Sequence, residues 1–157
     1  RKFNSLLMIE GFLQKQYSES ILLKDRNLAG GGFRFSLLRS NEKWQIDLYV
    51  GIGAMWENEL IDNKKLGEIE TSILRSTNYA TLIWQIDDRF SAATTGYFQM
   101  RPNNTNDFRL LVESGFGVRL SKRISLNVEL NFRFDNAPPS EIEKHDLEIA
   151  NSLMLSL

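Results

Sequence analysis

Apolar and polar residues alternate with a period of two along most of this chain, and that period belongs to β-strands rather than helices. The clearest run is residues 44–57, WQIDLYVGIGAMWE. Trp44, Ile46, Leu48, Val50, Ile52, Ala54 and Trp56 fall on one face, and Gln45, Asp47, Tyr49, Gly51, Gly53, Met55 and Glu57 on the other. A helix would scatter both sets around its circumference. Residues 107–120 repeat the pattern, with Phe108, Leu110, Val112 and Phe116 opposite Arg109, Glu113, Gly117 and Arg119. So do 124–135 (Ile124, Leu126, Val128, Leu130 against Ser125, Asn127, Glu129, Asn131), 146–157 and 27–38. Weaker alternation marks 3–17, 69–86 and 89–101. Eight strands and no helix are predicted.

The intervals between these runs alternate in length. Residues 18–26, 58–68, 102–106 and 136–145 are the longer connections, and 39–43, 87–88 and 121–123 the short ones. Membrane barrels alternate tight periplasmic turns with longer external loops. The pattern therefore predicts an all-β, antiparallel up-and-down transmembrane β-barrel, with both ends of the eight-strand stretch at the short-turn rim.

Composition narrows the alternatives. The chain has 157 residues, enough for one domain, and a net charge of −1 without a basic excess, which argues against nucleic acid as a partner. With 42% hydrophobic residues it is not a disordered segment, and without cysteine it holds no disulfide or thiolate metal site. No apolar run approaches the roughly 18 residues of a membrane-spanning helix, but a barrel strand needs only about 9 to 11, half of them apolar.

Alternation fits two opposite objects: a soluble lipocalin-like barrel with its apolar face inward, and a membrane barrel with that face towards lipid. Glycines decide between them. Gly51 and Gly53 share a face with Asp47 and Glu57, and Gly115 and Gly117 with Arg109, Glu113 and Arg119. A narrow interior needs small residues beside large polar ones, which a solvated face does not. Trp44 and Trp56 bracket their apolar row as interfacial aromatics would, with Trp84 and Phe90 at the short-turn rim and Tyr17 near the long-loop rim. The other reading makes these aromatics ordinary core residues.

Inward charges must then neutralise each other. Pairing Leu120 with Ile124 across the 121–123 turn sets Arg109 opposite Asp135 and brings Glu113 diagonally to Arg133. The 39–43 turn makes Arg34 and Asp47 neighbours. Pairing Ile86 with Phe90 sets Arg75 opposite Arg101, with Arg109 one strand further on. These like charges need Glu57, Glu113 and Asp135 between them, or else an anion such as a lipopolysaccharide phosphate or a solute carboxylate. The expected lumen network is thus Arg34, Asp47, Arg75, Arg101, Arg109, Glu113, Arg133 and Asp135.

Other chemistry is sparse. His145 is the single histidine, so a multi-histidine metal site is excluded. With Asp146 and Ser140 it makes only a weak case for a hydrolase against that for a solvated loop. The glycines at 30–32 lie within a strand and open no helix, so they form no phosphate loop. Asp62, Asn63, Glu68 and Glu70 match no calcium-loop spacing. No catalytic, metal or cofactor-binding residue is assigned, and no cofactor is expected.

The segments NLAGGGFRF at 27–35, LYVGIGAMWENE at 48–59 and LNVELNFRFDNAPPSEIEKHDLEIANSLMLSL at 126–157 carry a resemblance to a bacterial outer-membrane family, a domain of unknown function (481) named after a salt-induced outer-membrane protein. In that family a strand ends in an acidic–proline stretch and an Asp begins the last strand; the corresponding residues are Asp135, Pro138, Pro139 and Asp146. The resemblance implies an outer-membrane location and further strands ahead of residue 3, in a barrel of about twelve. It brings no catalytic residues. The terminal Leu157 departs from the aromatic that usually ends such strands.

The expected function is a non-enzymatic outer-membrane barrel, structural or one subunit of an envelope assembly, with outer-membrane lipid and lipopolysaccharide as its surroundings and other envelope proteins as candidate partners. A narrow solute channel is the second reading and a soluble lipocalin-like binder the third. Closure by these eight strands would pair 3–17 with 145–157, bringing Glu10, Gln14 and Gln16 beside Asp146 and Glu148. That acid-rich seam, with Lys2 at its far end, is electrostatically poor. Additional strands between the two edges are therefore expected.

Overall fold

The computed structural model describes residues 6–18, 22–40, 45–63, 67–138 and 142–155. Eight strands run β1 (Leu7–Ser18), β2 (Leu23–Leu38), β3 (Ile46–Asn63), β4 (Gly67–Gln85), β5 (Phe90–Arg101), β6 (Asn104–Arg119), β7 (Ile124–Asp135) and β8 (His145–Leu155). Each pairs antiparallel with the next in one sheet ordered β1 to β8, with no helix among the described residues. The period-two reading placed every strand, including β1, β4 and β5, where the alternation is weaker.

Short side chains close two of those turns. Asp87 Oδ1 accepts the amides of Arg89 and Phe90 at 2.7 and 2.8 Å, and Ser121 Oγ accepts those of Arg123 and Ile124 at 3.2 and 3.1 Å. The alternating loop lengths were misread. Residues expected as the loops 18–26 and 58–68 extend the ladder instead: Leu23 pairs with Ile61, Arg26 with Glu59 and Asn63 with Gly67. Polar residues there looked like loop, but the period of two continues through them. Gly67, at φ +78°, supplies the turn that a side chain would disfavour.

The sheet curls over its polar face. Arg109 on β6 reaches Glu57 on β3, and Tyr79 on β4 reaches Glu10 on β1, so strands that are not neighbours meet through their charged side chains. The residues buried there are Glu57, Glu59, Arg75, Asp107, Arg109 and Asp135, with Met55 and Leu28 among them. The opposite, convex face carries the large exposed apolar side chains, among them Phe33, Ile52, Phe98, Leu110 and Phe116. A soluble ligand-binding barrel is built the other way round.

The convex apolar face has a rim. Trp56 pairs with Leu74, and ten residues along β4 Trp84 pairs with Ile46. At about 3.3 Å per residue, that interval is an apolar band about 33 Å long along the strand. One pleat beyond Trp56 the outward row turns polar, where Asn27, Asn58 and Ser72 pair across β2, β3 and β4. The Trp56 indole donates to Asn58 Oδ1 at 3.2 Å, so its polar edge turns to that row. Trp84 and Phe90 lie exposed at the other rim, and Trp44 lies outside the described residues.

No ladder joins β1 to β8, and the sheet is not closed. Every residue of β8 is exposed on both faces.

Candidate functional site

Two residues apart on a strand means the same face, and three such pairs build the site: Glu57 with Glu59, Asp107 with Arg109, and Arg133 with Asp135. Arg26 and Arg75 come in from β2 and β4. Glu57 stands at the centre with no solvent exposure. Its carboxylate accepts hydrogen bonds from three guanidiniums: Arg26 through Nε at 3.1 Å and through Nη2, Arg75 through Nε at 2.9 Å and Arg109 through Nη1 at 2.8 Å.

Each guanidinium then reaches another carboxylate. Arg26 Nε lies 3.1 Å from Glu59, Arg75 Nη1 donates to Asp107 Oδ1 at 2.6 Å, and Arg109 donates to Asp135 Oδ2 at 2.8 Å and to Glu59 Oε1 at 3.1 Å. Arg133 lies 3.5 Å from Asp135 and completes the set. Four guanidiniums thus face four carboxylates, and the cluster is balanced. Balance matters because each buried ion forfeits several kcal/mol of hydration, recovered only when its donors and acceptors are met.

A second layer lies deeper along the strands. Tyr79 Oη donates to Glu10, and Arg34 Nε lies 3.1 Å from the same carboxylate, with its guanidinium 5.2 Å from the centre of the Tyr49 ring. Gly51 pairs with Tyr79, and the tyrosine ring occupies the space that a Cβ on Gly51 would take. Gly30 makes the same accommodation for Phe12, and a Cβ there would also stand 2.8 Å from that of Met55. Gly51 and Gly30 are therefore seats for aromatic rings. Between the layers lies a cavity of about 590 Å³, bordered by Glu10, Tyr79, Tyr97, Gln99, Glu113 and Arg133. Gln99 Oε1 is buried there without a hydrogen-bond partner among the described residues.

Several expected contacts are not made. Arg34 pairs with Glu10 rather than Asp47, because the β2–β3 connection is longer than 39–43: Leu38 sits opposite Leu48, which places Arg34 opposite Gly51 and four residues from Asp47. Asp47 instead accepts the Ser40 amide at 2.9 Å. The β4–β5 register was right, but its ladder ends at Ser76 and Met100, so Arg75 and Arg101 do not face each other. Arg75 turns to Glu57 and Asp107, while Arg101 donates to Asn103 at 3.0 Å. Glu57 and Asp135 do compensate Arg75 and Arg109. Glu113 does not: it is exposed, and Arg133 approaches Asp135 instead.

Arg26, Glu59 and Asp107 were missed. The first two fell in stretches taken for loops, where carrying the odd-position face of 44–57 one step further would have found Glu59.

The remaining candidates are dispersed. Asp62 and Glu68 flank Lys24 at 3.1 and 2.7 Å, beyond the apolar band, and their hydrogen bonds, that of Glu68 foremost, hold the lysine above its ordinary pKa. The Glu70 backbone pairs with Leu60, and the Asn63 side chain lies outside the described residues. His145 is exposed opposite Phe134, and Pro139 and Ser140 lie outside the described residues.

The register places Arg109 directly opposite Asp135, as expected from the 121–123 turn. Arg109→Ala and Asp135→Ala should each cost more than the roughly 0.2–1 kcal/mol of a surface pair, and the double variant clearly less than their sum. A double-mutant cycle by urea unfolding of the folded protein measures the coupling. Strict additivity would mean the two side chains are not partners.

A family model described as a protein of unknown function, DUF481, matches residues 1–156. No curated protein and no solved structure matches the chain.

Proposed function

This chain belongs to the DUF481 family of proteins of unknown function, and from that premise we propose that it is a non-enzymatic β-barrel protein of a bacterial outer membrane. Its role is structural, as an envelope protein or one subunit of an envelope assembly. The observation that carries this reading is the inverted distribution of polarity: a balanced ion network on the concave face and a band of exposed apolar side chains, edged by Trp56 and Trp84, on the convex one. In water that band would be an aggregation liability far beyond the few hundred Å² a soluble monomer exposes. In lipid it is the solvated surface.

The interior supports the structural role over the channel. Eight charged side chains meet across the concave face in mutual ion pairs, and an open pore needs charges left free to exchange with water and solute. The cavity beneath them is the feature that favours the second reading, a narrow channel, provided the network opens.

The test is fractionation followed by conductance. The full-length protein in its native bacterium is expected in the outer-membrane fraction, resistant to carbonate extraction and shifted in mobility on heating, and silent in planar bilayers. Recovery in the soluble fraction would end the membrane reading. Regular conductance steps would move the assignment to the channel.

A further inference from the structure

Polar groups on the convex face are few, and one sits at its middle. Along β4 the outward residues run Leu74, Ser76, Asn78, Ala80, Leu82 and Trp84, which puts Asn78 well inside the band bounded by Leu74 and Trp84. Its neighbours in the same row are Ile52 on β3 and Phe98 on β5, both exposed. The nearby hydroxyls are satisfied within the chain: Ser76 Oγ donates to the Met100 carbonyl at 3.3 Å, and Thr94 donates to Ser114 at 3.2 Å. The Asn78 carboxamide makes no side-chain hydrogen bond among the described residues. A carboxamide has two donors and an acceptor to satisfy, and hydrocarbon offers it nothing.

Beside Asn78 the face is also shallow. Ala80 pairs with Gly96, so two small residues adjoin the amide where most of the band carries Leu, Ile, Val or Phe. Small residues let two membrane-embedded backbones approach closely enough for interhelical or interbarrel hydrogen bonds.

We propose that this part of the convex face, around Asn78, Ala80 and Gly96, is where a second copy of the chain docks within the membrane. The inference rests on the lipid-facing reading above. It commits to a second copy because a carboxamide is complementary to itself. Two of them join through two reciprocal N–H···O bonds, each amide donating once and accepting once. Two copies inserted in the same direction and related by a two-fold axis along the membrane normal hold equivalent residues at equal depth. Asn78 near that axis meets its own mate. A different partner would need a matching polar group at that one depth on an otherwise apolar surface.

The test uses the full-length protein in its native membranes. Ala80→Cys should give a disulfide-linked dimer on mild oxidation, and Phe33→Cys, at the same face but two strands away, should not. Asn78→Leu in the Ala80→Cys background should reduce the cross-linked fraction at least fivefold, and Asn78→Gln should retain part of it. Carbonate resistance is read in parallel. If the Ala80→Cys protein is carbonate-resistant yet stays monomeric, or if Asn78→Leu leaves the cross-link unchanged, the docking site is overturned while the membrane reading stands. If the protein is carbonate-soluble, both fall.

Discussion

Glu57→Ala is expected to lower the unfolding free energy by about 3–5 kcal/mol, the cost of breaking a buried ion pair by removing one partner. The reason is the number of guanidiniums that depend on it. Arg26, Arg75 and Arg109 all donate to this one carboxylate, and Arg75 and Arg109 are themselves buried. Without Glu57 the cluster has four cations and three anions, with Arg75 and Arg109 held in the buried part of it. Glu57→Gln should cost less, because the amide oxygen still accepts part of the four hydrogen bonds that the three guanidiniums donate. Adding Arg26→Met to Glu57→Gln should recover more than half of the loss. Among the described residues Arg26 bonds to Glu57, Glu59 and Gln16, so its removal restores three against three with Arg75 still on Asp107 and Arg109 still on Glu59 and Asp135. Urea unfolding of the three variants in lipid vesicles measures this. If Arg26→Met deepens the loss, Glu57 is not the hub of the network.

How much of this was legible without coordinates depends on the range of the interaction. Strand positions and facing follow from a period of two, which each strand carries within itself, so Ile52 and Gly51 fall on opposite faces whatever surrounds them. The register of β6 on β7 follows from one turn, and Arg109 opposite Asp135 came directly from it. The register of β2 on β3 did not, because the connection runs past residue 43 and sets Leu38 opposite Leu48, which takes Arg34 away from Asp47. Contacts across the curl of the sheet lie beyond any pairing arithmetic. Nothing in the spacing of residues 57 and 109 says that β3 and β6 meet, since that depends on curvature set by all the strands between them. The hub of the network was therefore visible only as a compensating charge, not as the residue on which three guanidiniums converge.

The same inside–outside distinction gives the second large effect. Ile52→Arg is expected to cost about 2–4 kcal/mol of stability in the membrane and to reduce the assembled fraction sharply, the range known for a basic side chain at a barrel's lipid-facing midplane. Ile52 lies on β3 between Phe33 and Asn78 in its row, is more than half exposed, and stands four residues from Trp56 at the rim. A guanidinium placed there points away from the concave network and finds no carboxylate within its row. Its stem cannot carry the charge to the headgroups without crossing the Ala54 and Trp56 positions. Ala29→Arg makes the comparison, because Ala29 pairs with Trp56 at the edge of the band, one pleat from Asn27, where the cost of a cation falls to about 0–1 kcal/mol. A soluble protein would tolerate both changes alike, since an exposed arginine in water costs almost nothing. The depth dependence is therefore the discriminating quantity. It is read as the heat-shifted fraction of each variant in outer-membrane preparations, and equal assembly of Ile52→Arg and Ala29→Arg would remove lipid from the convex face.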